Sequence, residues 1–343
     1  MAETRCERTA DVPIDPWPAV SVVMPVLNEE PDLRGAVEAV YDQGYPGELE
    51  VVLAVGPSRD RTLKVARALA SEHPGLVVVD NPTGRTPAGL NLAIAASRHD
   101  IVVRVDGHGE LAPRYIEIAV ETLRRTGAAN VGGIMDARGR TPFEQAVAAA
   151  YNSPLGLGAS TFHLASSAEG PADTVFLGSF RKDALAAAGG YDETLHRAQD
   201  WDLNYRLRQA GETVWFTPRM RVTYRPRSTM KALARQFFAT GQWRREVIRR
   251  NPDTASVRYL VPPASVVGLS VGTVAGLAGL ATGRRWLAAG LAAPAVYAAF
   301  LGVAALRMDR SLPPRARAWV PPVVGVMQMC WGAGFLRGLR RDR

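Results

Sequence analysis

From Val20 onward, short apolar runs alternate with amphipathic ones. Val20–Val26 is rich in β-branched residues and lacks the strict alternation of a half-exposed strand, so it predicts a buried parallel strand. Asn28-Glu29-Glu30-Pro31 then opens a helix with Leu33, Val37 and Val40 as its apolar stripe. Residues 50–55 read as a second strand, Gly56-Pro57 as its turn and 61–71 as a helix. Leu76–Asp80 is a third strand, 88–96 a helix, and 101–105 a fourth strand running into Asp106. Strands and helices alternating at this spacing predict an α/β domain with a mostly parallel sheet. Ligands of such sheets bind beyond the carboxyl ends of the strands, where Asn28, residues 56–60 and residues 106–108 fall.

The pattern changes past the middle of the chain. A basic helix is expected over Met230–Arg250, lying on a membrane with Phe237, Phe238 and Trp243 dipping in and its arginines among the headgroups. Three charge-free stretches follow, over 259–281, 286–306 and 319–336. A membrane-spanning helix needs about 20 apolar residues, and Gly and Ala suit close packing in lipid. The expected organisation is a disordered lead-in over 1–18, an α/β domain over 19–228, an interfacial helix over 229–252 and a membrane domain over 258–339. Arg244, Arg245, Arg249 and Arg250, and then Arg307, Arg310, Arg315 and Arg317, fall on the cytoplasmic side by the positive-inside rule. A third crossing would carry Arg337 and the arginines after it outside, so the third stretch is either re-entrant at Pro321-Pro322 or breaks the rule.

Charge sharpens the division. The 343 residues carry a net +8, which alone suggests an anionic partner. Residues 1–218 hold 20 basic and 29 acidic side chains, whereas 219–343 hold 21 basic and 4 acidic. The basic residues border apolar spans rather than forming a groove, which argues against nucleic acid. The two cysteines, Cys6 and Cys330, form neither a disulfide framework nor a metal cluster. No secretory signal opens the chain, so the first half is expected in the cytoplasm. After the first strand, where a dinucleotide oxidoreductase would carry Gly-x-Gly-x-x-Gly, stands Pro25-Val26-Leu27-Asn28-Glu29-Glu30.

Three constellations carry candidate chemistry. Asp106-Gly107-His108 at a strand end can present two ligands to a hard cation, Mg²⁺ or Mn²⁺, although a plain turn uses the same residues. In Gln199-Asp200-Trp201-Asp202-Leu203-Asn204-Tyr205-Arg206, the apolar spacing puts Asp200 in the first turn of a helix. The helix dipole keeps a carboxylate there ionised and able to act as a base; the bland alternative is helix capping with an Asp202–Arg206 pair. Gly241-Gln242-Trp243-Arg244-Arg245 offers an amide, an indole and guanidiniums that can clamp a diphosphate or, alternatively, serve the membrane surface. His163 and His196 have no partner pattern and read as structural or solvent-facing.

Together the Val22-Val23-Met24-Pro25-Val26-Leu27-Asn28-Glu29 opening, Asp106-Gly107-His108 and the run from Gln199 to Gly211 resemble the inverting family 2 glycosyltransferases of the GT-A fold. The likeness is to the succinoglycan-biosynthesis-type subgroup and covers about residues 19–250. It implies transfer from a nucleotide-diphospho sugar to a lipid-linked or glycan acceptor, by a membrane-anchored enzyme with a cytoplasmic catalytic domain at the inner membrane. It implies that Asp106 and His108 bind the metal, that Asp60 lies near the nucleotide, and that Asp200 deprotonates the acceptor. It extends substrate contacts to Pro25, Asn28, Glu29, Asn91, Asp106, Gln242, Trp243 and Arg244, and an acceptor-side role to residues 156–180. Val55 replaces the family's usual nucleotide-contacting aspartate and Gln199 the glutamate before the base. Gly241-Gln242-Trp243-Arg244 only approximates Gln-x-x-Arg-Trp, which weakens the case for processive polymerisation. The alternative is a nucleotide-sugar-binding membrane regulator without catalysis; retention of Asp106, His108 and Asp200 argues against it.

Overall fold

The computed structural model describes residues 16–157, 161–195 and 197–339. The lead-in up to residue 15, with Cys6, and His196 lie outside the described residues. The chain runs β1 (Val20–Val26), α1 (Leu33–Tyr41), β2 (Leu49–Val55), α2 (Thr62–Glu72), β3 (Leu76–Asp80), α3 (Thr86–Ala96) and β4 (Ile101–Arg104). It continues through β5 (Glu110–Leu111), α4 (Tyr115–Thr126), β6 (Asn130–Ala137), α5 (Pro142–Tyr151), α6 (Pro154–Leu157), β7 (Gly170–Pro171) and β8 (Phe176–Arg181). Then come α7 (Lys182–Ala187), α8 (Gln199–Gln209), β9 (Val214–Tyr224) and α9 (Met230–Arg250). Last are α10 (Val257–Thr282), α11 (Arg285–Ala288), α12 (Ala292–Arg307) and α13 (Pro314–Arg337).

One sheet organises the first two thirds, in the order β3-β2-β1-β4-β8-β6-β9-β5, with β7 beside β9. β1, β2, β3 and β4 are mutually parallel, as their β-branched runs predict; β8 enters antiparallel between β4 and β6. Val22, Met24 and Val26 face a core shared with Leu33 and Val37 of α1 and Ile116 and Val120 of α4. Val23 faces the opposite core, with Leu90 of α3, Leu185 of α7 and Leu203 and Leu207 of α8. The sheet is therefore covered on both faces, and each fully buried Val or Leu contributes about 1.5–3 kcal/mol. After β3 the chain returns to the other side of β1 to lay down β4, so the strand order reverses between β1 and β4. That crevice, at the strands' carboxyl ends, is where such a sheet binds ligands.

The third core joins this sheet to the C-terminal helices. Ala146, Val147 and Tyr151 of α5 and Leu233 and Phe237 of α9 pack with Val320, Val323, Val324 and Met327 of α13. The apolar side of α9 therefore meets protein where lipid was expected: Phe237 is buried against Tyr151, and the Phe238 ring lies beneath Arg337. Small residues allow this approach. A Cβ on Gly241 would lie 2.0 Å from the Trp331 carbonyl oxygen, and one on Gly334 would lie 2.0 Å from that of Phe238. The α9 arginines follow suit: Arg245 donates to the carbonyls of Phe335 and Leu336, and Arg249 and Arg250 pair with Glu246.

Three C-terminal helical segments, Val257–Thr282, Arg285–Arg307 and Pro314–Arg337, are long and apolar enough to cross a membrane. Protein buries 11% and 6% of the most apolar windows of the first two but 33% of the third, so α13 is the one shared with the α/β domain. α13 runs unbroken through Pro321-Pro322 for 24 residues, with no re-entrant turn there. At 1.5 Å per residue it reaches about 36 Å, enough for the hydrocarbon core.

Candidate active site

At the β1–β4 crevice lies a cleft of about 630 Å³, within the usual size of a small-molecule site. Its walls come from the β1 end (Pro25, Leu27, Glu29), the β4 end (Arg104, Asp106, His108), the start of α8 (Asp200, Trp201) and α9 (Trp243, Arg244).

The loop after β1 is held by its neighbour after β2. Asn28 adopts φ 58°, a left-handed conformation that Asn tolerates. Its backbone N–H donates to Ser58 Oγ at 3.0 Å and its side-chain oxygen accepts from the Arg59 N–H at 2.8 Å. The Glu29 N–H donates to Thr62 Oγ1 at 2.8 Å and the Glu30 N–H to Asp60 Oδ2 at 3.1 Å. The hydrogen bonds from Thr62 hold the Asp60 carboxyl below its usual range. Asp60 thus positions the loop that carries Glu29, whose Oε1 lies 3.0 Å from His108 Nδ1. That contact raises the His108 pKa, against the opposing effect of burial. Gly107 lets the two loops close: a Cβ there would lie 2.9 Å from Val26 Cγ1 and 3.0 Å from Glu29 Cγ.

Asp200 lies in the first turn of α8, which is fixed from several sides. Asn204 accepts from Asn130 and donates to Thr174, and Arg206 pairs with Asp202 at 2.8 Å and donates to the Gly190 carbonyl. The Asp202–Arg206 pair is present, but no side-chain cap closes the helix, because Ala198 stands at the N-cap in a left-handed conformation with φ 63°. Asp200 instead meets Arg104. This buried guanidinium donates to Asp200 Oδ1 and, at 3.1 Å, to Asp106 Oδ1, so one cation joins the two candidate carboxylates. Burial opposes the Arg104 charge, yet Asp200 and Asp106 outweigh it and hold the arginine protonated. For Asp200 burial dominates and raises the carboxyl pKa, with Arg104 pulling it back.

The cleft gathers Pro25, Glu29, Asp106, His108, Asp200, Trp243 and Arg244. Four other residues assigned by the resemblance do not line it. Asn28 and Asp60 are used in loop-to-loop hydrogen bonds, and Asn91 bonds both to the Tyr191 backbone and to Glu193. Gln242 points to the far end of α13, donating to the Gly338 carbonyl at 2.7 Å; a step of one residue on a helix turns a side chain by about 100°, away from Trp243. No described residue of 156–180 lines the cleft, and His163 is buried between the Phe162 and Tyr151 rings. Arg104 was missed, along with Arg197, Tyr224, Arg227 and Gln236. For Arg104 the signal was there: a charge inside the apolar run 101–105, two positions before Asp106 and so on the same strand face.

The donor set fits a hard cation only in part. Asp106 and His108 supply a carboxylate and an imidazole, and the second ring nitrogen of His108 has no protein partner among the described residues. Glu29, Asp106 and His108 do not all bring ligand atoms within 4.8 Å of one another, a spacing met by the surface group Glu38, Glu72 and His73, where Arg34 already pairs with both glutamates. The cleft therefore offers no closed protein cage, but it suits a cation that takes one or two protein ligands and completes its shell with phosphate oxygens and water.

A doubly covered sheet with its cleft at the strand-order reversal, and carboxylates just past the end of β4 and in the first turn of α8, is an α/β domain built to hold a ligand there; its likeness to known proteins gives it the GT-A fold. The family model described as "Glycosyl transferase family 2" matches residues 21–180. "Succinoglycan biosynthesis protein ExoA" of Rhizobium meliloti (strain 1021) is 32% identical over 93% of this chain and 94% of its own length. The chain belongs to glycosyltransferase family 2. A relative from Methanococcus voltae, "Dolichyl N-acetyl-alpha-D-glucosaminyl phosphate 3-beta-D-2,3-diacetamido-2,3-dideoxy-beta-D-glucuronosyltransferase", is 24% identical over 67% of this chain and 74% of its own. Among solved structures, "Mannosyltransferase PcManGT from Pyrobaculum calidifontis in complex with GDP-Man and Mn2+" superposes with a TM-score of 0.63 at 21% identity, covering 95% of this chain and 90% of that one.

Proposed function

We propose that this protein is a membrane-anchored inverting glycosyltransferase that uses a nucleotide-diphospho sugar as donor and a lipid-linked acceptor. It works with Mg²⁺ or Mn²⁺, at the cytoplasmic face of the inner membrane, in exopolysaccharide or envelope glycan assembly. The observation that carries this reading is the placement of Asp200 on α8 across Arg104 from Asp106, just past the end of β4, in one cleft. The names of the R. meliloti and M. voltae relatives support the glycan pathway and the lipid-linked acceptor respectively. The PcManGT complex supports the donor class and the cation.

Asp106 and His108 would hold the cation, which when bound supplies Lewis-acid neutralisation of the leaving diphosphate. Asp200 takes the acceptor's proton. Its Oδ1 is engaged by Arg104, and Oδ2 has no protein partner among the described residues. Burial makes this carboxylate a stronger base than a solvated one, and Arg104 limits the gain so that it still ionises. Attack from the α8 side on an anomeric carbon whose diphosphate lies on the β4 side inverts its configuration. The cleft is walled by α9, which leads into α10 and packs on α13, so an acceptor held in a bilayer reaches it without leaving the membrane surface.

The test is a screen of the full chain in detergent against UDP-, GDP- and dTDP-sugars with Mn²⁺, Mg²⁺ or EDTA, scoring donor hydrolysis and transfer. Turnover of at least one donor, lost in EDTA, is expected. Turnover that ignores EDTA would overturn the Asp106–His108 assignment, and no turnover of any donor would overturn the enzymatic reading.

A further inference from the structure

The acidic residues of the cleft all have partners: Asp106 and Asp200 pair with the Arg104 guanidinium, and Glu29 hydrogen-bonds to His108. Three further guanidiniums line the same cleft, those of Arg197, Arg227 and Arg244. None has a carboxylate partner or a hydrogen bond to protein among the described residues. Arg197 and Arg227 act on each other as like charges, and partial desolvation where the exposed Arg197 side chain meets the cleft wall, together with that repulsion, lowers the Arg197 pKa. Arg244 lies over two aromatic rings, its Cζ 5.2 Å from the Trp201 centroid and 4.1 Å from that of Tyr259. Its Nη1 is buried with no hydrogen-bond partner. Leaving a buried charged donor such as Arg244 Nη1 unsatisfied is costly, and with the exposed guanidiniums of Arg197 and Arg227 on the same cleft it makes a set able to take an anion of more than one charge.

Their position says which anion. Donor-side groups come from the ends of β1 and β4. These arginines come from the opposite wall: Arg197 just before α8 and the catalytic candidate Asp200, Arg227 between β9 and α9, and Arg244 on α9. Tyr259, which packs on Arg244, opens the first apolar stretch of α10. This wall is where the soluble domain meets the candidate membrane helices.

On the glycosyltransferase reading, we propose that Arg197, Arg227 and Arg244 bind the phosphate or diphosphate that joins the acceptor sugar to its lipid. The acceptor class is then a lipid phosphate ester, not a neutral glycolipid. Forked guanidiniums match phosphate oxygens in pairs, and Arg244 is already placed by its contacts with the Trp201 and Tyr259 rings. Anchoring the phosphate on this wall holds the attached sugar hydroxyl beside Asp200 while the lipid tail stays with α10 and α13.

The test is equilibrium binding to the full chain in detergent with EDTA, using farnesyl diphosphate and farnesol as probes. The parent should bind the diphosphate at least about tenfold more tightly than the alcohol, and R197Q/R227Q should lose most of that preference. R197K/R227K should retain part of it, since charge remains and the fork is lost. Both arginines are exposed, and an unchanged melting temperature shows that the double variant folds; should it fail to fold, R227Q alone should still show a graded loss. The proposal is overturned if the parent shows no preference, or if R197Q/R227Q keeps it in full. It is also overturned if short-chain phosphatidylglycerol competes as well as farnesyl diphosphate, which would mark a general headgroup contact. Loss of Mn²⁺-dependent nucleotide-diphosphate binding in step with farnesyl diphosphate would overturn it too, by assigning the arginines to the donor. No donor turnover is needed for this readout, so it fails or succeeds separately from the enzymatic reading.

Discussion

Replacing Arg104 by Met keeps much of the side chain's length and removes the cation shared by Asp106 and Asp200. At the 3.1 Å of the Arg104–Asp106 contact, two unit charges interact by about 5 kcal/mol with an effective dielectric constant of 20. Part of that is offset in the parent by the cost of burying the guanidinium, and removing one partner of a buried pair typically costs about 3–5 kcal/mol. Without Arg104 the burial of the Asp200 carboxyl is unopposed, so its pKa moves further up. Burial already raises this group from its ordinary value of 3.8. In the variant the folded carboxyl therefore holds a proton that the unfolded chain releases. Stability is least affected near the unfolded value and falls as pH rises through the folded one. The assay is kcat/KM against pH from 5 to 9 with the donor found by screening, alongside melting temperatures at pH 5 and pH 8. The acid limb of the rate profile should move up by at least about one unit, with activity partly recovered at pH 9 and the larger melting loss at pH 8. R104K should fall between parent and R104M. A loss of rate by the same factor at every pH, with the limb unmoved, would refute the idea that Arg104 sets the ionisation of Asp200.

Two further predictions concern the fold. Burial lowers the His163 pKa to about 4 from 6.5, so the unfolded chain binds a proton that the folded one refuses, and stability present above pH 6.5 is lost as pH falls toward 4. The span is worth up to about 3 kcal/mol; H163F should flatten the melting temperature between pH 7 and pH 5, and an unchanged slope would contradict this. G241V puts a side chain where the Trp331 carbonyl oxygen lies 2.0 Å from a bare Cβ. It should destabilise the α9–α13 contact by about 1–3 kcal/mol, read as a lower melting temperature in detergent and faster proteolysis, whereas equal values would contradict the close packing.

The parallel half of the sheet was legible because buried parallel strands are runs rather than alternations, and Val20–Val26 and Leu76–Asp80 were found to the residue. The family likeness rested on the opening from Val22 to Glu29, Asp106-Gly107-His108 and the α8 run, and the match to family 2 agrees with it. Less legible was the back of the cleft. α9 has the composition of an interfacial helix, but whether Phe237 meets lipid or α13 depends on Gly241 and Gly334, whose importance appears only once two backbones lie together. Gln242 and Trp243 are adjacent in sequence and part company on a helix. Asn28 and Asp60 carry polar groups that serve the loops and not the cleft, a choice that side-chain type does not disclose. Arg197 and Arg227 stand out only because neither has a carboxylate partner among the described residues, a property of space and not of sequence.

Transfer by D200N tests the central claim most directly, with nucleotide-diphosphate binding measured on the same preparation. Asparagine keeps the size and the contact with Arg104 and cannot accept the proton. The account predicts a kcat lower by about 10²–10⁴-fold, with Mn²⁺-dependent nucleotide binding within about twofold of the parent, a change under about 0.5 kcal/mol. Product formation at the parent rate would contradict it.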